Sequence, residues 1–109
     1  MSRIIRKAGP FMADFNLQYR WYFHEAGEDL ARRYLVAVDN TLEKLSRFLD
    51  SGHVRRFPQP ELHGIRSFLV ERPFHRHLVF YRFDDLHVDV WRIIHGARDL
   101  PKRLLEPAK

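Results

Sequence analysis

From residue 31 onward, Ala31, Leu35, Val38, Leu42, Leu45 and Leu49 recur alternately four and three positions apart, while Arg32, Arg33, Asp39, Asn40, Glu43 and Lys44 fill the positions between. That spacing keeps one apolar stripe on a 3.6-residue helix. It predicts an amphipathic helix closing near Asp50-Ser51-Gly52, with the glycine as its C-terminal cap. Upstream, Phe11, Phe15, Tyr19, Tyr22 and Ala26 mark the apolar face of a first helix, opened by Pro10 and stopped at Gly27. So short a break predicts a helical hairpin. About two heptads are too few for a coiled coil, so the hairpin is expected to pack on a sheet.

The remaining apolar runs are shorter. "RIIRK" at residues 3–7 is β-branched and stopped by "AGP", which predicts a brief strand. After "GHVRRFPQPELHG" at 52–64, rich in proline, glycine and histidine and read as a loop, three strands are predicted: Ile65 to Glu71, His77 to Phe83 and Leu86 to Ile94. "HLVFYRF" is apolar on both faces, as a central strand would be. Asp84-Asp85 suits the link to the last strand, and Asp99 is placed to cap a short helix through "LPKRLL". The expected architecture is α+β: a short N-terminal strand, an α-hairpin packed on a mainly antiparallel sheet completed by three C-terminal strands, and a short C-terminal helix.

Length and composition narrow the class. One domain over residues 1–109, 45% apolar and 14% aromatic, is expected to fold around its own core. With no cysteine, disulfides, thiolate metal sites and cysteine nucleophiles are excluded. No stretch approaches the roughly 20 apolar residues of a membrane span, so a soluble cytoplasmic protein is expected. The formal charge of +5, with fifteen arginines among nineteen cations, points to acidic partners and to forked recognition of carboxylate or phosphate. His75 and His77 are only two potential metal ligands with no third at fixed spacing, so no metal is expected, and no cofactor-binding motif is present.

The order of elements, together with "ADF" in the first helix, "GEDLARRYL" opening the second, "ELHGIRSFLV", "HLVFYRFDD" and "RIIHGARDLP", resembles the ParE/RelE superfamily of bacterial type II toxins, the ParE-like branch in particular. The resemblance spans nearly the whole chain. It implies a toxin that binds and blocks DNA gyrase and is neutralised in a hetero-oligomer by a cognate antitoxin that is small, acidic and partly disordered. RelE-like relatives instead cut messenger RNA on the ribosome, and a degenerate member would only bind its antitoxin.

The residues can be set against both activities. Cleavage through a 2′-hydroxyl needs a base, an acid and cations for the phosphorane charge. Here His95 with Arg66, Arg82, Arg98 and Tyr81 would have to supply them. The alternative for His95 is a packing role at the strand end. RelE-like toxins resemble one another in lysines leading into the sheet and a terminal tyrosine or histidine pair. This chain has neither, which leans away from an enzyme. For a binding toxin, Arg66, Arg72, Arg82, Arg92 and Arg98 are the expected target-binding set, with Arg76 beside them. Strand alternation would group Arg66, Phe68, Val70 and Arg72 on one face and Val88, Val90, Arg92 and Ile94 on another, studding the free side of the sheet with guanidinium groups. Those arginines could equally be ordinary salt bridges to helix carboxylates such as Asp14, Asp29 and Asp39. Phe15, Tyr19, Tyr22, Phe23 and Leu35 are the expected antitoxin-binding residues.

Overall fold

A computed structural model describes residues 2–96 and 99–107. The chain runs β1 (Ile4–Lys7), α1 (Gly9–Ala26), α2 (Glu28–Arg47), β2 (His53–Val54), β3 (Arg66–Leu69), β4 (His77–Phe83), β5 (His87–His95) and α3 (Leu100–Leu105), with 3-10 turns at Leu49–Ser51 and Pro60–Leu62. The five strands form one sheet in the order β1-β5-β4-β3-β2, with β1 parallel to β5 and every other pair antiparallel. This is the expected α+β arrangement. Gly27, at φ 93°, is the whole link between the two helices, a backbone conformation that glycine adopts at little cost.

Two cores lie on opposite sides of the sheet. The hairpin face buries Phe11, Tyr34, Val38, Leu42 and Leu45 against Val79, Tyr81, Val88, Val90 and Ile93. The other face is not free. Leu62 and Ile65 from the long loop and Leu100 and Leu104 of α3 cover Leu78, Phe80 and Ile94, with Phe57 and Trp91 packed alongside. A five-stranded sheet rich in apolar residues on both faces needs both covered, and the segment 52–64, expected to be a loop, contributes Phe57 and Leu62 to the second cover.

Three local expectations change. The second helix ends at Arg47, and Gly52 does not cap it, because its backbone is extended (φ −76°, ψ 154°). The hydroxyl of Tyr81 occupies the space where a Cβ at Gly52 would stand, and it donates to the Leu49 carbonyl at 2.8 Å. Gly52→Ala is therefore expected to destabilise the fold by about 1–3 kcal/mol through overpacking. The loss should be smaller in a Tyr81→Phe background, a coupling that a double-mutant cycle of urea midpoints measures. Asp99 precedes α3, but it adopts a left-handed conformation (φ 51°, ψ 41°) and makes no side-chain cap. Along β5, Phe80 pairs with Arg92 and Tyr81 with Val90, so Trp91 is an extra residue, a β-bulge. Beyond it the alternation shifts: Val88, Val90 and Ile93 share the hairpin core, while Ile94 joins the opposite one. Arg92 thus does not continue the Val88–Val90 face.

Candidate functional site

The end of β5 places His95 opposite His77, the first residue of β4, with ring centroids 4.7 Å apart. Both line a cleft of about 290 Å³ between α1, β5 and α3, together with Asp14, Gln18, Tyr34 and Arg103. His95 is exposed, and Arg103 donates to its carbonyl at 2.8 Å. His77 is 2% exposed; its Nε2 is hydrogen-bonded to the Tyr22 hydroxyl at 2.9 Å, and its ring packs against Tyr34 and Phe74. Burial, with a smaller contribution from His95, holds its pKa down to about 4. His77 is accordingly neutral at physiological pH, a packing element rather than a proton donor.

The other residues of the ribonuclease set lie elsewhere. Tyr81 stands four residues along β4 from His77, roughly 13 Å at 3.3 Å per residue, and it is fully buried with its hydroxyl committed to Leu49. Arg66 pairs with Tyr81 and lies over the Phe83 ring at 5.5 Å. Arg82, one residue on, lies on the opposite face over Trp91 at 5.9 Å and donates to the carbonyls of Glu61 and His63. Arg98 lies outside the described residues. His95 is thus brought beside His77 and Arg103, and not beside Tyr81, Arg66 or Arg82.

The arginines do not form one surface either. Arg92 is 5% exposed and makes a bidentate ion pair with Asp14 of α1 at 2.7 and 2.8 Å. It also donates to the carbonyls of Arg103, Leu104 and Glu106, tying β5 to α1 and α3. The salt-bridge alternative is the one realised here, which removes Arg92 from any docking face. Arg66 is half-buried, donating to the Gly52 carbonyl and 3.8 Å from Asp50. Arg72 lies beyond the end of β3 in the turn to β4, and Arg72 and Arg76 are exposed. Among the described residues no cationic sheet face forms, because the hairpin core covers one side of the sheet and the second core the other.

Exposed apolar side chains are spread over helices, strands and turns, with Ile4, Phe48, Leu69 and Leu86 among them. Phe15 and Tyr22 pack against the hairpin core, Tyr19 and Leu35 are half-buried, and Phe23 is 45% exposed. More exposed than these are Leu17 at 51% and Trp21 at 56%, one turn apart on α1. Helical phase could have found them, since they fall off the stripe of Phe15, Tyr19 and Tyr22. No group of three or more metal-ligating side chains gathers among the described residues. Likewise, no helix there is long and apolar enough to cross a membrane.

Residues 5–100 match the family model described as the ParE toxin of the type II toxin-antitoxin system parDE. Among solved structures, a chain of the chromosomal ParDE system from P. aeruginosa superposes with a TM-score of 0.70 at 18% identity, covering 88% of this chain and 98% of that one. A chain of the toxin-antitoxin complex RelBE2 from Mycobacterium tuberculosis gives 0.55 at 22% identity, covering 87% and 99%. At these identities the two superpositions show a shared fold. No curated protein matches the sequence.

Proposed function

Because the chain belongs to the ParE toxin family of type II toxin-antitoxin systems, we propose that it acts in the cytoplasm by binding DNA gyrase, without covalent chemistry of its own. The observation that carries this reading is the dispersal of the ribonuclease set. A base, an acid and phosphate-binding cations must converge within hydrogen-bond reach of one phosphodiester. Here Tyr81 is sealed in the core, and Arg66 and Arg82 occupy opposite sheet faces away from His95. Leu17 and Trp21, exposed one turn apart on α1, instead suit a protein partner, since apolar residues gathered at a surface favour association. Neutralisation by a cognate acidic antitoxin, partly disordered and folding on contact, fits the charge of +5. The gyrase reading predicts that purified protein added to gyrase and relaxed plasmid stops supercoiling. Undiminished supercoiling at a large molar excess of protein would reject gyrase as the target.

A further inference from the structure

We infer that the cleft between α1, β5 and α3 is a binding site for a small neutral molecule that carries a carboxamide on a flat ring. Tyr34, from α2, forms part of its inner wall and is 0% exposed. The phenol hydroxyl is buried and has no hydrogen-bond partner among the described residues. A buried donor left unmet is a cost to the fold, which an incoming acceptor removes. Burial first, and then Tyr22 and the charge of Asp14, raise the pKa of this phenol, so it stays protonated and able to donate. Asp14, near enough to act on it, lines the same cleft.

A second polar group stands beside the phenol without a partner. Gln18 lies one turn beyond Asp14 on α1, half-buried, and its side-chain amide makes no hydrogen bond among the described residues. Asp14 itself is committed: Arg92 donates to both its oxygens, and the Ile93 amide to one of them. The cleft thus offers a phenol that donates and an amide that both donates and accepts. The rings of Tyr34, His77 and His95, with the side chain of Leu17, give it flat and apolar walls.

Charge and size select the ligand. Arg92 and Arg103 line the cleft against Asp14 and Glu106, two cations to two carboxylates, and His77 is neutral. Nothing in that balance offsets the desolvation of an ion, so a neutral ligand is favoured. A carboxamide meets both partners, because its carbonyl accepts from Tyr34 while its N–H groups donate to the Gln18 carbonyl. The volume of about 290 Å³ is at the lower end for small-molecule sites and holds one ring with its substituent. An ordered water would satisfy the hydroxyl, but at roughly 30 Å³ it fills only a small part of that space. The inference does not rest on the gyrase reading.

The test titrates the full chain with benzamide at neutral pH, followed by NMR, with benzoate and benzylamine as charged controls of the same shape. Benzamide is expected to shift the resonances of Gln18, Tyr34 and His95 and to bind at least about tenfold more tightly than either control, a difference of roughly 1.4 kcal/mol. Tyr34→Phe keeps the ring and removes the donor. Its affinity for benzamide should fall by about tenfold, while its urea midpoint stays level or rises, because the unmet hydroxyl has gone. Gln18→Met, at a half-buried helix position, removes the amide and should weaken binding without loss of the fold. Absence of benzamide binding by the wild-type chain, equal affinity for a charged control, or shifts centred away from the cleft would overturn the proposal. So would a Tyr34→Phe protein that binds benzamide as well as the wild type or unfolds at lower urea, since the hydroxyl would then serve the fold alone.

Discussion

Arg92→Ala is expected to lower the unfolding free energy by about 3–5 kcal/mol, the range found when one partner of a buried ion pair is removed. The guanidinium sits 5% exposed between α1, β5 and α3, and its loss strands the Asp14 carboxylate, whose side chain is only 13% exposed. It also strands the carbonyls of Arg103, Leu104 and Glu106. Asp14→Ala should cost a similar amount, since it leaves the guanidinium without its counter-charge and removes the acceptor of the Ile93 amide at 3.2 Å. If the pair acts as one unit, the double variant will fall well short of the sum of the single losses. Urea unfolding of the four proteins gives the comparison. Strict additivity would show that the two charges do not depend on one another.

A second large effect is a loss of stability on acidification, traced to His77. Its pKa is 6.5 in an ordinary environment and about 4 in the fold. Between those values the unfolded chain binds a proton that the folded chain refuses, so ΔG of unfolding rises with pH in that window. The contribution is complete above about pH 6.5 and is lost as pH falls toward 4. The difference between the two values corresponds to roughly 3 kcal/mol. Tyr22 from α1, Tyr34 from α2, Phe74 and His95 contact the ring, and Asp14, which lines the same cleft, is held by Arg92. Urea midpoints from pH 7 to pH 4 should therefore decline less steeply in His77→Phe than in the wild type. Parallel declines would mean that His77 is not the group responsible.

The helical hairpin was legible because its stripe depends on nothing outside the helix. Ala31, Leu35, Val38, Leu42 and Leu45 alone fix which side of α2 faces the sheet. β4 was read to the residue, since a run apolar on both faces admits few other placements. What was not legible depends on distant partners. Arg92 reads as a surface cation until Asp14, 78 residues earlier in the chain, is set against it. The bulge at Trp91 carries no glycine or proline to announce it, yet it alone shifts Arg92 off the Val88–Val90 face. β2 is two residues long, below any periodic signal. The segment "GHVRRFPQPELHG" looks polar in sum, while a few apolar residues, Phe57 and Leu62 with the adjoining Ile65, are what close the second face. The arginines counted as one docking surface were counted from alternation, and strand ends, a bulge and a second core each break that rule. The exposed pair Leu17 and Trp21 needed helical phase rather than residue type.

The reading as a toxin that binds rather than cuts is tested most directly by inducing the wild-type chain and His95→Ala in cells without the antitoxin, following growth and mapping messenger RNA ends by primer extension. His95 is exposed, so its replacement leaves the fold intact. Both proteins are expected to arrest growth while messages stay whole. Discrete cuts at translated codons that disappear in His95→Ala, together with recovered growth, would contradict it.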